Sequence, residues 1–228
     1  MENIMIKAAF FDLFFTLIRP DYSCNVNEYD ILGLSADAWE RYAENPILYQ
    51  ERAIGRIKSE EDIIGRILSS IPLECSDAQK QQVQKAREDR MRNALLNVQD
   101  EVLETLKHLK QKHIKVGLIS NADVIDCKYW KESALAPLFD DVIFSCNVGM
   151  LKPDIRIYRL AMERMGVISD DSIFVGDGGS NELSGAKEAG MRTVFTEFLE
   201  CKTKERKEEI VLYADCYVEE FKQIMECI

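Results

Sequence analysis

The feature that most constrains the fold is a short apolar run, Ala8–Phe11, that ends at an acidic residue, Asp12. A hydroxyl residue, Thr16, follows further along. Short apolar runs bounded in this way are typical of strands that are buried on both faces of a parallel sheet. Because open α/β sheets bind ligands at the carboxyl ends of their strands, Asp12 is a candidate functional residue. A buried carboxylate needs a positive partner, so we expect a metal ion or a lysine beside it.

The composition indicates a soluble globular protein with 46% hydrophobic and 30% charged residues. A net charge of -11 argues against binding to nucleic acid or to an anionic membrane, since both would repel the chain. No apolar run approaches the length of a bilayer span, and Met1–Lys7 lacks the features of a signal peptide. Seven scattered cysteines without a Cys-x-x-Cys pair argue against zinc and predict reduced thiols in a cytoplasm.

Both histidines, His108 and His113, fall on or just after an amphipathic helical pattern. We expect them at the surface, which makes a Ser-His-Asp triad improbable.

The segment 19–97 carries helical patterns and no convincing strand. Ser35, Ser59 and Ser76 each precede a helical pattern as N-cap residues, and acidic residues follow Ser59 directly. The apolar positions within Ile63–Leu68 have the spacing of one buried helix face. We therefore predict a helical insertion, residues 19–97, after the first strand.

From about residue 100 the pattern alternates between helix and strand, which predicts a parallel sheet with right-handed crossovers. Helices are expected at 101–112, 126–132, 154–165, 182–189 and 219–227, and strands at 115–119, 141–144, 172–175, 193–195 and, shorter, within 213–218. The charged segment Cys201–Glu209 is expected to be solvated. The predicted core therefore comprises residues 1–18 and 98–228.

Polar side chains stand where four of these strands end. They are Asp12 and Thr16, Ser120 and Asn121, Lys152, and Asp177 with Asn181 and Glu182. Because the carboxyl ends of parallel strands share one edge of a sheet, these residues should converge. Together they supply an acid, hydroxyl and amide donors, a cation and a second acid, which are the groups that phosphoryl chemistry needs.

Two facing carboxylates repel each other unless a divalent cation lies between them. Asp12 and Asp177, with the backbone carbonyl of Phe14, offer Mg²⁺ the oxygen ligands that it prefers. Lys152 and Ser120 would then hold phosphoryl oxygens, and Glu182 would orient Lys152.

Four motifs follow one another at the strand ends, namely Phe11–Leu17, Leu118–Asn121, Leu151–Asp154 with Tyr158 beyond, and Phe174–Glu182 continuing to Met191. In this order they resemble the motifs of the haloacid dehalogenase-like (HAD) superfamily. The resemblance covers essentially the whole chain. It implies a Rossmann-like, doubly wound parallel sheet with an inserted all-helical cap domain.

The resemblance also implies roles for individual residues. Asp12 would be the nucleophile that becomes an aspartyl-phosphate, and Asp177 would hold magnesium. Thr16, Ser120 and Lys152 would steady the transferring group.

The first motif departs from the pattern of the family phosphatases. Those enzymes usually have a second acid where Phe14 stands, followed by a glycine where Phe15 stands. The second acid protonates the leaving alcohol and then activates water, and such help is typically worth about 10²–10⁴-fold in rate. Phenylalanine provides neither function, although its backbone carbonyl can still reach a metal ion.

Three functions therefore remain open. The first is a magnesium-dependent phosphatase of a small phosphate ester, in which solvent or a residue of the insertion, such as Asp21, Tyr22 or Glu28, replaces the missing acid. The second is a metal-independent 2-haloacid dehalogenase, which the aromatic Phe14 favours and the Gly176–Asp177 pair opposes. The third is a binding protein that has lost turnover.

The resemblance implies that the insertion sets the substrate. Tyr42, Tyr49, Arg52 and Arg56 are the candidates to face the cleft. Arg52 is the candidate for contact with a substrate carboxylate or phosphate, because a guanidinium pairs with either group through two hydrogen bonds. The sequence does not predict an oligomeric state.

Overall fold

A six-stranded, all-parallel sheet forms the centre of the molecule. The computed structural model describes residues 5–23 and 26–228. The strands are β1 (Ala8–Phe11), β2 (Lys115–Ser120), β3 (Asp141–Phe144), β4 (Ser172–Gly176), β5 (Arg192–Thr196) and β6 (Cys216–Val218). They lie in the order β3-β2-β1-β4-β5-β6. The predicted parallel, doubly wound α/β sheet is confirmed.

Helices connect the strands and cover the sheet. In the described part of the insertion they are α1 (Glu28–Leu32), α2 (Ala36–Ala43), α3 (Pro46–Ala53), α4 (Glu60–Ser70) and α5 (Asp77–Leu96). Those that follow are α6 (Asp100–Gln111), α7 (Val124–Cys127), α8 (Ser145–Val148), α9 (Ile155–Met165), α10 (Glu182–Glu188) and α11 (Lys204–Ile210). Short 3-10 turns occur at Trp130–Glu132, Ala136–Leu138, Ser169–Asp171, Gly179–Asn181, Val211–Tyr213 and Phe221–Glu226.

The apolar strands bury side chains on both faces of the sheet. Ala9 and Phe11 of β1 pack in one cluster with apolar residues of α6 and the Phe221–Glu226 turn. Ala8 and Phe10 belong to the opposite cluster, with residues of α9 and α10. This alternation follows from the two-residue period of a strand, and it explains why β1 has no polar residue before Asp12.

The strand order reverses beside β1. Phe11 is in register with Leu118 of β2 on one side and with Val175 of β4 on the other. The connections from β1 and from β4 therefore leave in opposite directions along the sheet. Such a switch point opens a crevice at the carboxyl ends of the strands, and Asp12 and Asp177 follow the two strands that flank it.

The insertion forms an apolar cluster of its own. The three predicted caps are confirmed, since the hydroxyls of Ser35, Ser59 and Ser76 accept hydrogen bonds from backbone N–H groups of α2, α4 and α5. The buried face within Ile63–Leu68 packs with Trp39 and with Ile125 of α7. The division into a core (1–18 and 98–228) and a cap domain (19–97) stays a prediction.

Some local predictions hold only in part. The segment 201–209 is mostly exposed, as expected, but it contains the start of α11 and the largely buried Lys202. The helix expected at 126–132 is split between α7 and a 3-10 turn, and the closing helix is a 3-10 turn.

The cysteines also depart from the expectation of reduced thiols. Cys216 and Cys227 form a disulfide, whereas Cys24 lies outside the described residues. The predicted cytoplasmic location stays a prediction. Within residues 5–23 and 26–228, no helix is both long and apolar enough to cross a bilayer. Both histidines are exposed, as expected.

The loop that carries Lys152 is held against α10 at a glycine. A Cβ atom on Gly185 would lie 2.4 Å from the carbonyl oxygen of Pro153. We expect Gly185→Ala to lower the free energy of unfolding by about 1–3 kcal/mol, because the backbone must move apart. Urea denaturation measures the change.

Gly65 of α4 is the matched control, because a Cβ atom there meets nothing within 4 Å. Gly65→Ala should raise the free energy of unfolding by up to about 1 kcal/mol through helix propensity. Equal effects of the two substitutions would contradict the close packing of α10 on the Lys152 loop.

Candidate active site

Lys152 joins two carboxylates in the crevice. Its Nζ lies 2.5 Å from Asp12 Oδ1 and 2.5 Å from Glu182 Oε2. The side chains of all three residues are less than one-tenth exposed. The lysine expected beside Asp12 is therefore present, and Glu182 holds it as predicted.

Two contacts from Asn121 fix the loop that delivers Lys152, and a third fixes the start of α10, which carries Glu182. The amide of Asn121, at the end of β2, accepts a hydrogen bond from Lys152 N at 2.8 Å and donates one to Lys152 O at 3.1 Å. Tyr158 of α9 donates its hydroxyl to the carbonyl of Glu182 at 2.7 Å. Asn121 thus positions the lysine, rather than offering its amide freely to a ligand.

The buried charges perturb one another. Burial, and then repulsion from Asp177, raises the pKa of Asp12, while Lys152 opposes the shift. Burial and the neighbouring Asp12 raise the pKa of Glu182 well above its usual range. Burial lowers the pKa of Lys152, but the two carboxylates outweigh it and raise the pKa, which keeps the amine charged. Perturbed titration of a buried group in a cleft is typical of functional sites.

A second lysine, which the sequence did not predict, binds Asp177. Lys202 Nζ lies 2.5 Å from Asp177 Oδ2 and 2.6 Å from Glu200 Oε2. The other oxygen of Asp177 accepts a hydrogen bond from Gly179 N at 2.9 Å. The available signal was the position of Lys202 just beyond β5, but the surrounding charges favoured a solvated loop.

The turn after Asp12 shapes the floor of the site. The hydroxyl of Thr16 donates to Asp12 Oδ2 at 3.3 Å. Phe15 has a φ of 60°, in the left-handed region where glycine is favoured.

The hydroxyl of Ser120, at the end of β2, is buried and has no hydrogen-bond partner among the described residues. An unpaired buried hydroxyl is costly, so Ser120 is available to a ligand that reaches it.

Three carboxylates come close enough to share a cation. Asp12, Asp177 and Glu182 each offer an oxygen, and these oxygens lie within 4.8 Å of one another. Hard divalent cations such as Mg²⁺ take oxygen ligands of this kind. The donor chemistry of the crevice therefore fits a magnesium ion.

A cavity of about 600 Å³ extends from this edge to the insertion. Besides Asp12, Phe14, Lys152 and Asp177, residues of the insertion line it, including Tyr22, Trp39, Tyr49 and Arg52. The exposed Asn181 is not among its described lining residues.

Other candidates from the insertion lie elsewhere. The described lining of the cavity does not include Tyr42, Arg56, Asp21 or Glu28. Glu28 is instead buried against Arg90, and Asp21 accepts a hydrogen bond from Ser23. Of the three proposed substitutes for the missing acid, only Tyr22 reaches the cavity.

Comparison with known proteins identifies the family. A sequence model of haloacid dehalogenase-like hydrolases matches residues 6–190, which is most of the chain. The chain belongs to the haloacid dehalogenase-like hydrolases. The predicted superfamily is confirmed, and the matched region includes the first three strand-end motifs and the fourth as far as residue 190.

Individual relatives align with only part of this chain. Glyceraldehyde 3-phosphate phosphatase of Methanocaldococcus jannaschii is 30% identical over 138 residues, which are 59% of this chain and 58% of that protein. The chain spans about half the length of the curated relatives that it matches.

Solved structures of other HAD proteins share the fold. A HAD family enzyme from Bacteroides thetaiotaomicron, in complex with magnesium and inorganic phosphate, superposes with a TM-score of 0.67. It is 20% identical, and the match covers 88% of this chain and 98% of that chain. A 2-haloacid dehalogenase from Pseudomonas syringae pv. Tomato gives 0.64 at 22% identity over 97% of each chain. These likenesses show the fold alone.

The raised carboxyl pKa values predict a pH-dependent effect of Asp12→Asn on stability. A group whose pKa is raised on folding loses its stabilising contribution as the pH rises through the folded-state value. Removing the Asp12 charge eliminates one such group and lowers the pKa of Glu182. We expect Asp12→Asn to be more stable than the wild type by about 1 kcal/mol or more near pH 8, with the difference shrinking toward about pH 4.

Urea unfolding across this pH range measures the difference. Asp89→Asn is the control, because it removes the same charge from an exposed ion pair with Lys85. It should change stability by less than about 1 kcal/mol at every pH. An Asp12→Asn protein that is less stable than the wild type near the upper pH would contradict the expected repulsion.

Proposed function

We propose that this hydrolase is a magnesium-dependent phosphatase that acts on a small phosphorylated metabolite through an aspartyl-phosphate on Asp12. The observation that carries the proposal is the pairing of Asp12 with Lys152 beside the second carboxylate of Asp177. A dehalogenase does not need the second carboxylate, since its nucleophile attacks carbon without a metal ion.

The proposed reaction has two steps, and side chains of the crevice would act in each. One oxygen of the Asp12 carboxylate attacks phosphorus, the bond from phosphorus to the ester oxygen breaks, and the leaving group departs with the electron pair. Lys152 and Thr16, which contact different oxygens of Asp12, fix the orientation of the carboxylate. The Lys152 ammonium and the unpaired hydroxyl of Ser120 would bind phosphoryl oxygens. Water then attacks phosphorus, the bond from phosphorus to the Asp12 oxygen breaks, and inorganic phosphate leaves as the Asp12 carboxylate is regenerated.

The acidic residues of the crevice fit a magnesium ion. Asp12 and Asp177, with the backbone carbonyl of Phe14, would hold it, and Glu182 would remain with Lys152. When bound, the ion neutralises charge on the phosphoryl group. Asp177 must exchange its contact with Lys202 for this purpose, and Glu200 already offers Lys202 a second carboxylate.

Phe14 restricts which esters can react. Without an acid at this position, the ester oxygen leaves as an anion that no side chain at position 14 can protonate. The acidity of the leaving alcohol then dominates the rate. The named activity of the Methanocaldococcus relative supports a small phosphorylated substrate.

The proposed activity is tested by phosphate release from a panel of phosphate esters, with magnesium and with EDTA. The wild type should release phosphate only with magnesium, and Asp12→Asn should lose the activity while retaining its fold by circular dichroism. The same proteins are offered a 2-haloacid. Halide release in EDTA, without phosphate release from any ester, would establish the dehalogenase alternative. Binding without either release would indicate a protein that has lost turnover.

The missing acid predicts a gain of function in Phe14→Asp. We compare isopropyl phosphate with hexafluoroisopropyl phosphate, because the two alcohols have similar shapes and very different acidities. The wild type should strongly prefer the fluorinated ester. In Phe14→Asp, kcat/KM for isopropyl phosphate should rise by about 10²–10⁴-fold, because a general acid again protonates the leaving oxygen.

Phe14→Asn is the control for side-chain size. Asparagine has nearly the same shape as aspartate, but its amide cannot act as a general acid. An equal gain in Phe14→Asn, or a wild type that hydrolyses both esters equally fast, would contradict the role of position 14.

A further inference from the structure

We propose that the cavity selects an uncharged aromatic leaving group and disfavours phosphorylated carboxylic acids. The inference rests on the proposed phosphatase function and adds the class of substrate. Two features of the cavity carry it, namely a neutralised pair of arginines and an aromatic lining.

Arg52, the candidate partner for a substrate carboxylate, is already paired. Its Nη1 lies 2.5 Å from Asp123 Oδ2, and its Nη2 lies 2.7 Å from Glu44 Oε1 and 3.3 Å from Ala43 O. Its Nε has no partner among the described residues, but this atom is buried. The side chain is 2% exposed. A substrate carboxylate reaches Arg52 only by displacing the carboxylates of the chain itself.

Arg87 shares Asp123 with Arg52, and its ion pairs are made through one nitrogen. Its Nη2 lies 2.7 Å from Asp123 Oδ2 and 3.0 Å from Asp126 Oδ1. We call Glu44, Arg52, Arg87, Asp123 and Asp126 the junction cluster, because it joins α2, α3 and α5 of the insertion to α7.

The junction cluster has excess negative charge. Its three carboxylates face two guanidinium groups, which gives a formal charge of -1. Burial, and then the charge of Asp123, raises the pKa of Asp126, whereas Arg87 and Arg52 outweigh burial and lower the pKa of Asp123. Glu40 adds another carboxylate to the cavity lining. A substrate carboxylate placed here loses water and meets like charge, and both effects oppose its binding.

Aromatic side chains provide the alternative contact. Phe14, Phe15 and Trp39 line the cavity together with Tyr22 and Tyr49. The guanidinium of Arg52 lies over the Tyr49 ring at 5.1 Å, and that of Arg90 over the Tyr22 ring at 4.3 Å. Cation–π contacts of this kind restrain both rings, and aromatic walls bind another aromatic ring by stacking or by edge contacts.

The chemistry of the crevice requires the same class of substrate. With Phe14 in place of an acid, the leaving oxygen departs as an anion. A phenolate leaves more readily than an alkoxide, because delocalisation into the ring stabilises its charge. The lining of the cavity and the missing acid therefore favour aryl phosphates independently.

The decisive comparison uses phenyl phosphate and 4-carboxyphenyl phosphate. The carboxylated phenol is the better leaving group, so chemistry alone would favour it. We expect kcat/KM for phenyl phosphate to be higher by about tenfold or more, because the cavity repels the carboxylate. Equal values, or a preference for the carboxylated ester, would overturn the proposal.

Glu44→Gln tests the neutralisation directly, since it removes one carboxylate from Arg52. The preference for phenyl over 4-carboxyphenyl phosphate should fall several-fold in this variant. Glu51→Gln is the matched control, because Glu51 pairs with Arg66 outside the described cavity lining. The preference should remain as in the wild type. A fall of the same size in both variants would contradict the role of the junction cluster.

The aromatic contribution is tested with hexafluoroisopropyl phosphate, an aliphatic ester whose alcohol has an acidity similar to that of phenol. Phenyl phosphate should have the lower KM by several-fold. A lower KM for the aliphatic ester would overturn the aromatic part of the proposal.

Binding separates this inference from the proposed reaction. Phenylphosphonate and 4-carboxyphenylphosphonate are not hydrolysed, and calorimetry gives their affinities for the wild type with magnesium and for Asp12→Asn. Tighter binding of phenylphosphonate to both proteins supports the inference even if no ester is hydrolysed, an outcome that overturns the proposed function alone. Equal affinities overturn the inference alone if phosphate release is observed.

Discussion

The ion pairs of Lys152 with Asp12 and Glu182 are the interaction on which the architecture of the site depends. A buried ammonium without partners would be prohibitively costly, and so would two buried carboxylates without a cation. The chain meets both requirements by bringing three distant segments to one switch point of the sheet. The amide of Asn121 and the close packing at Gly185 then hold the lysine loop in place. Charge neutralisation thus sets the geometry of the candidate nucleophile.

The junction cluster applies the same physics where α3 and α5 of the insertion contact α7 and the residue before it. There the carboxylates outnumber the guanidiniums, and the cations are directed inward to acids of the chain. Buried pairs of this kind fix geometry more reliably than they add stability, because desolvation offsets much of their attraction. The arginines therefore define the position of the insertion over α7 and leave the aromatic side chains as the apolar contacts for a ligand.

Much of this arrangement was predictable from local patterns. Apolar runs located the strands, serines located the helix starts, and the convergence of strand ends brought Asp12, Lys152, Asp177 and Glu182 together. Lys202 was missed because a dense run of charges reads locally as solvent exposure. The partners of Arg52 could not be predicted either, because Asp123 is distant in sequence and no periodic pattern indicates an ion pair between separate segments.

The contact between Lys202 and Asp177 has a consequence for how a divalent ion would arrive. The Asp177 carboxylate is already paired with Lys202. A divalent ion that binds Asp177 would therefore replace the lysine and not enter a vacant site. The binding free energy of the ion would then be the difference between its interaction with Asp177 and the interaction of Lys202 with Asp177. Glu200 already contacts the Lys202 ammonium, so Lys202 would keep one acidic partner after such an exchange. Because the net gain is small, the fraction of protein with a divalent ion at Asp177 should depend on the concentration of the free ion in solution.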